Sequence, residues 1–201
     1  MTTAAEPVVA GKTDVRTIVG GGAKLGAITA VGVVTFAMLS RLLAGPVEVV
    51  VQSLLVFAGL AVFAFQPAAW VRPRGIDAIA WTALMGLLGA AFFTVVDTAV
   101  LRPVKLYHWT WDQIGGGSGW WYIPIWWMGS AFLAWLGAWV VSRGGDVSPT
   151  VRAGQTVGVG VVLFAMIVMT GILPFHAGTA ALAGAVGLIA MVPLVGILRG
   201  A

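Results

Sequence analysis

The chain has 201 residues, of which 60% are hydrophobic and only 9% are charged. About a quarter of the residues in a soluble domain are charged, so this composition indicates an integral membrane protein. The net charge of +4 comes from basic residues in short connectors rather than from one basic face, which argues against nucleic-acid binding. Cysteine is absent, which excludes disulfides, thiolate metal sites and a cysteine nucleophile.

Six apolar segments along the chain are each long enough to cross a bilayer. A helix rises about 1.5 Å per residue, so about 20 residues cover a hydrocarbon core of about 30 Å. Glycine and proline residues separate the segments, as at Gly45-Pro46, Gln66-Pro67 and Pro174. We therefore predict an all-α integral membrane protein, a bundle of about six transmembrane helices, at residues 25–44, 47–65, 76–101, 122–142, 153–173 and 175–198.

The positions of lysine and arginine predict the orientation of these helices. If the amino terminus is cytoplasmic, eight basic residues lie in inner segments and three, Arg41, Arg102 and Lys105, lie in outer ones. Basic residues concentrate on the cytoplasmic side of short membrane loops. We therefore expect both termini in the cytoplasm and a multi-pass protein of a bacterial inner membrane.

This topology divides the chain into two regions. Residues 1–24 are predicted to be a cytoplasmic tail, and residues 25–201 a single transmembrane domain. The longest connector, at about 102–121, then lies outside.

The alternative to six spans is a topology with five spans and a re-entrant segment around Pro174, which would place the carboxyl terminus outside.

Eight of the ten tryptophans lie between Trp109 and Trp139. Indole combines an apolar body with one N–H donor, so it favours the boundary between lipid and water. We predict that the first part of the cluster forms an interfacial belt on the outer side. The residues of this belt are Trp109, Trp111, Trp120, Trp121 and Tyr122.

A second group of aromatic residues lies deeper in the fourth span, where a belt does not account for it. These residues recur at helical spacing and are Trp127, Phe132, Trp135 and Trp139. Such a stripe can pack against a partner helix or against an apolar ligand such as a lipid, a quinone or another pigment-like cofactor. Plain packing within the bundle or against lipid is the alternative.

Asp97 and the two histidines form the candidate polar site. Asp97 lies near the end of the third span, where an ionisable side chain is costly and therefore a functional candidate, although pairing with Arg102 or Arg41 is the structural interpretation. His108 and His176 both lie on the predicted outer side. No ligand spacing accompanies them, so we interpret them as hydrogen-bonding residues at the interface and predict no metal site; a haem or pigment ligand is the alternative.

Two further acidic residues have structural interpretations. Arg41 and Glu48 flank the Gly45-Pro46 turn, and we expect them to pair across it. Asp77 opens the third span, where a carboxylate favours the positive end of the helix dipole, so we interpret it as a capping residue.

Small residues predict close helix packing near the carboxyl terminus. Gly154 and Gly158 form a GxxxG motif in the fifth span, and Gly184 and Gly187 lie at four-residue spacing from Ala180 and Ala183 in the sixth. Small residues let helix backbones approach closely in lipid. We expect these spans to pack on each other or on a neighbouring protein.

One short segment resembles part of the multi-span carotenoid-biosynthesis hydratases. The matching residues combine spaced tryptophans, an aromatic pair and Ile-Pro, and they are Trp109, Trp111, Tyr122, Ile123, Pro124 and Gly129, with Asp97 upstream. Where that pattern has Asn-Phe after Ile-Pro, this chain has Trp126-Trp127. The resemblance implies an enzyme that acts on an isoprenoid substrate.

Three functions follow from these observations. The first is a non-catalytic membrane subunit that packs against other subunits, lipids or an apolar cofactor and stabilises a larger complex. The second is a small membrane enzyme acting on an isoprenoid- or carotenoid-like substrate, with Asp97 or Asp112 as acid or base. The third is a small-solute transporter, although polar residues such as Gln52 and Thr94 are too scattered to outline a pathway.

Overall fold

The computed structural model describes residues 13–106, 122–143, 145 and 147–200. This part of the chain is helical, with six helices long and apolar enough to span a membrane, which confirms the predicted all-α fold with six candidate spans. Residues 170–176 join two separate helices, each long and apolar enough to span a membrane. The helices are α1 (Val15–Leu42), α2 (Gly45–Val71), α3 (Ile76–Val96) with a following π-helical turn (Asp97–Leu101), α4 (Tyr122–Arg143), α5 (Pro149–Met169) and α6 (Ala177–Gly200).

Helix α1 begins ten residues before the predicted start at residue 25. The Asp14 side chain caps it by accepting a hydrogen bond of 2.9 Å from the Thr17 backbone N–H. Residues 15–24, which we predicted as part of a tail, are therefore helical. The glycines at positions 20–22 made this segment look like a tail, yet Gly21 and Gly22 are buried where α1 meets α3.

Helix α2 continues six residues past its predicted end at residue 65 and includes Pro67. A proline inside a helix removes one backbone donor, and here the helix tolerates that loss near its end. It stops where Arg72 adopts a left-handed conformation with φ of 53° and its N–H donates to the Ala68 carbonyl oxygen. The proline therefore marked the last turns of α2 and not its boundary.

Helix α5 begins four residues before the predicted start at residue 153. The Ser148 hydroxyl accepts a hydrogen bond of 3.3 Å from the Val151 N–H, and Pro149 occupies the first turn. A proline fits there because the N–H of that position has no partner within the helix. The helix ends at Met169, just before Gly171 with φ of 70°.

Helix α2 is the central element and contacts all five other helices. On one side, α3 packs between α1 and α4, and on the other side α5 pairs with α6. The largest buried cluster joins α2, α4 and α6, and a smaller one joins α1, α2 and α3. The first cluster contains Ala64, Phe65, Leu136, Val140, Leu188, Met191 and Val195.

Glycines lie at close contacts among α1, α2, α3 and α4. A Cβ atom added at Gly26 of α1 would lie 2.8 Å from the Gly89 carbonyl oxygen of α3, and one at Gly86 of α3 would lie 2.5 Å from the Ala134 Cβ of α4. A Cβ atom at Gly137 of α4 would overlap the Ala64 carbonyl of α2. These positions leave room only for glycine, and they fix how far each helix is rotated about its own axis.

The predicted glycine contact between α5 and α6 is formed by different residues of α5 than expected. Gly184 and Gly187 of α6 are buried against Gly160, with a Cβ at Gly187 lying 3.0 Å from the Gly160 nitrogen. Gly154 and Gly158 are exposed, and no atom lies within 4 Å of an added Cβ. The GxxxG motif therefore points away from α6, because Gly160 lies on the other side of the helix.

Candidate functional site

The four aromatic residues predicted to form one stripe on α4 point in two directions. Trp127 is half-buried, and its Nε1 donates a hydrogen bond of 3.0 Å to the Thr94 hydroxyl of α3. Its ring packs against the buried cluster of Leu25, Phe63 and Ala90. Trp127 thus ties α4 to α3 within the chain.

Trp139 also packs against the interior of the bundle. It is half-buried and packs against two of the buried clusters that α2 shares with α4. The Arg143 guanidinium lies 5.6 Å from the centre of its ring, a distance typical of a cation–π contact. The Trp139 ring therefore contacts the core of the bundle and also the Arg143 guanidinium at the end of α4.

Phe132 and Trp135 lie on the outer side of α4. Their rings stack with centroids 6.1 Å apart and planes inclined by 16°. Phe132 is 49% exposed and Trp135 is 40% exposed, and the neighbouring Met128 is also exposed. We call these three residues, Met128, Phe132 and Trp135, the α4 outer face. It is an apolar, preassembled surface that no other described part of the chain covers.

The predicted interfacial belt is described only at its edge. Trp109, Trp111, Trp120 and Trp121 lie outside the described residues, as does His108. Tyr122 is the first residue of α4. One further indole, Trp126, is exposed at the start of α4 and packs its ring at 5.9 Å from that of Phe93.

Asp97 is fully buried at the start of the π-helical turn that ends the third span. Its Oδ2 accepts a hydrogen bond of 3.0 Å from Nε of Arg102, and the Arg102 backbone N–H donates to the Asp97 carbonyl oxygen at 2.9 Å. The wider π-helical turn brings residue 102 back over residue 97. Of the two partners considered for Asp97, the structure brings Arg102 to the carboxylate.

The expected pair between Arg41 and Glu48 is not formed. Arg41 Nη2 donates to the carbonyl oxygens of Leu106 at 2.6 Å and of Lys105 at 3.3 Å, whereas Glu48 accepts a hydrogen bond of 2.8 Å from Gln52. A backbone turn after α3 offers two acceptors to one guanidinium. The arginine therefore fastens the end of α1 to the segment after α3, a contact between distant parts of the chain.

Gln52 and Thr94 are the polar residues whose roles the sequence did not reveal. Gln52 is buried and donates to both Glu48 and the Ser40 hydroxyl of α1, the latter at 2.9 Å. Thr94 accepts from the Trp127 indole. Each appeared as an isolated polar residue because its partner lies on another helix or one turn away.

His176 caps the start of α6 rather than joining Asp97. Its Nδ1 accepts a hydrogen bond of 3.0 Å from the Gly178 backbone N–H. Asp77 lies in the first turn of α3, but its side chain makes no capping hydrogen bond, since Gly75 occupies the capping position. Within the described residues, no group of three or more His, Asp or Glu side chains is placed to hold a metal ion.

No protein-family model, curated protein or solved structure matches this chain. The structure offers an uncovered aromatic surface on α4 and, at the end of the third span, a carboxylate held by an arginine. The first can bind an apolar partner, and the second stabilises a turn.

Proposed function

We propose that the protein is a non-catalytic integral membrane subunit that stabilises a larger complex through the α4 outer face. The observation that carries this proposal is the stacked and exposed pair of Phe132 and Trp135. Trp127, Trp139 and the buried Leu136 and Val140 hold α4 within the chain, and the outer pair is left exposed for another surface. Its occupant is a helix of another subunit, a lipid or a flat apolar cofactor.

The chemistry of a membrane favours such a surface. Between helices in lipid there is no hydrophobic driving force, and association depends on van der Waals packing. Large rigid rings give much contact area, and an aromatic pair contributes about 0.5 to 1.5 kcal/mol beyond area burial. Because Phe132 and Trp135 are already stacked, a partner would find them ordered before it binds.

The distribution of exposed basic residues supports the assignment of the end where α1 begins to the cytoplasmic side. Exposed basic residues at that end are Arg16, Arg72, Arg74 and Arg143. We propose accordingly that both termini face the cytoplasm of a bacterial inner membrane, where basic loops are retained.

The test is native mass analysis of the chain after extraction from its own membrane in a mild detergent. The wild-type chain is expected in a complex heavier than 20.8 kDa, and the double variant Phe132→Leu, Trp135→Leu is expected to lose that mass. Phe92→Leu is the matched control, because Phe92 is equally exposed, at 50%, but lies on α3. A lone wild-type chain without bound ligand would contradict the proposal, as would an unchanged complex in the double variant.

A membrane enzyme is the second candidate, and the π-helical turn at Asp97 is the observation in its favour. Such turns are frequent at functional sites, and this one buries a carboxylate completely. Incubation with an acyclic carotenoid, followed by mass analysis for added water, tests it. Turnover that disappears in Asp97→Asn would support the enzyme, and no product, or an unchanged rate in the variant, would remove it.

A further inference from the structure

An open cavity of about 410 Å³ lies at the end of the bundle where α1 and α3 begin. Thr13 lines it from the segment before α1, Arg74 lines it from the loop before α3, and Asp77 and Trp81 line it from α3 itself. This site lies at the opposite end of the third span from Asp97, and none of its residues belongs to the α4 outer face. It combines a cation, an anion and an indole in one recess.

The two charged residues of the cavity are available to a ligand. Arg74 and Asp77 are both exposed, and within the part of the chain that the structure describes neither makes an ion pair or a side-chain hydrogen bond. Asp77 lies in the first turn of α3, where the helix dipole favours a carboxylate. The cavity thus presents one positive and one negative group that sum to zero charge.

Trp81 sets the depth of the cavity relative to a membrane. It follows Asp77 by four residues, so the two side chains share one face of α3, about 6 Å apart along the axis. The indole is 36% exposed, and exposed indoles favour the level where headgroups meet acyl chains. Arg74 and Asp77 then lie at the level of the headgroups.

We propose that this cavity binds the headgroup of a zwitterionic aminophospholipid of the phosphatidylethanolamine type. The phosphodiester lies against the Arg74 guanidinium and the primary ammonium against the Asp77 carboxylate, with Trp81 beside the glycerol region. Both contacts are charge-assisted hydrogen bonds. An anionic headgroup would leave Asp77 facing negative charge, and a choline headgroup has no N–H to donate to it.

The experiment exposes the full-length chain to equal amounts of phosphatidylethanolamine, phosphatidylcholine and phosphatidylglycerol in mixed detergent micelles and counts retained lipids by native mass spectrometry. The wild-type chain is expected to retain the ethanolamine lipid about two- to fivefold over the others, the range of exposed ion pairs. Arg74→Gln should abolish this preference. Asp77→Asn should transfer the preference to phosphatidylglycerol, because Arg74 is then the only charged residue that lines the cavity and it attracts an anionic headgroup.

Arg72→Gln is the matched control. Arg72 is an exposed arginine two positions away that does not line the cavity, so its loss should leave the preference unchanged. Thermal unfolding in lipid-free detergent checks that each variant folds. Equal retention of the three lipids by the wild-type chain, or an ethanolamine preference that survives in both Arg74→Gln and Asp77→Asn, would overturn the proposal.

Discussion

Three polar side chains in this bundle connect a helix to a distant part of the chain. The Trp127 indole reaches Thr94 on α3, Arg41 reaches the carbonyl oxygens after α3, and Gln52 reaches Ser40 on α1. In lipid an unpaired donor is costly because water does not replace its partner. Each such residue therefore contributes to stability through specific acceptors, and the effect of removing an acceptor can be measured.

The hydrogen bond between Trp127 and Thr94 gives the first prediction. Thr94→Val removes the acceptor while keeping the shape of the side chain, so the free energy of unfolding should fall by about 0.6 to 1.5 kcal/mol. Thr98→Val is the control, since the exposed Thr98 hydroxyl donates only within its own helix. Reversible unfolding in mixed micelles measures both. Equal losses in the two variants would argue against the interhelical bond.

The ion pair at the end of the third span gives the second prediction. Asp97→Asn leaves the Arg102 guanidinium without its carboxylate, and since Arg102 is partly exposed, we expect a loss of about 1 to 3 kcal/mol in unfolding free energy. Asp77→Asn, at an exposed site without an ion pair among the described residues, should cost less, about 0.3 to 1 kcal/mol through the helix dipole. An Asp97→Asn chain as stable as the wild type would show that the pair does not stabilise the turn.

At the scale of the helices, glycine positions decide which faces meet. Gly26, Gly86 and Gly137 lie where another backbone or Cβ atom comes within contact distance, whereas Gly154 and Gly158 face open space. The GxxxG motif predicts that Gly154 and Gly158 pack against another helix, but it is Gly160 of α5 that contacts α6. Spacing alone does not tell which side of a helix faces its neighbour.

A matched pair of alanine substitutions tests this difference between glycines. Gly137→Ala places a methyl group into the Ala64 carbonyl and should lower the unfolding free energy by about 1 to 3 kcal/mol through overpacking. Gly158→Ala meets no atom within 4 Å and should be neutral or should stabilise the isolated chain by up to about 1 kcal/mol through helix propensity. Thermal unfolding of both variants in detergent provides the comparison. A destabilising Gly158→Ala would mean that α5 is packed differently.

At the scale of the whole molecule, α2 holds two groups of helices together and leaves their outer surfaces apolar. Exposed residues on these surfaces include Val31, Met169 and Ile197. A lipid environment tolerates such surfaces, since lipid tails are as apolar as the side chains. The charged residues lie mainly near the two ends of the bundle. Which end faces the cytoplasm can therefore be tested by labelling residues at each end.

The chain contains no cysteine, so single cysteines report sidedness directly. We expect Arg74→Cys and Val147→Cys to react with a membrane-impermeant maleimide only in inside-out vesicles, and Lys105→Cys and Ile172→Cys only in right-side-out cells. All four positions are exposed. Labelling of Arg74→Cys and Lys105→Cys from the same side would rule out the proposed topology.

Much of the fold follows from the sequence, and the helix ends show where sequence reasoning stopped. Every one of the six spans was located, but α1 and α2 are longer than predicted because glycine and proline were read as breaks. In α1 the glycines are packing positions against α3. A residue type that weakens an isolated helix can thus lie inside one that neighbouring helices support.

The sequence by itself determined that the chain forms six apolar helices, because the thickness of a bilayer imposes a length and an apolar composition that are visible without any contact. Only the tertiary structure decided which aromatic residues of α4 are available to a partner. That division depends on the rotation of α4 about its axis, which Gly86 and Gly137 set through contacts with Ala134 and Ala64. Trp127 and Trp139 consequently face inward, while Phe132 and Trp135 face outward.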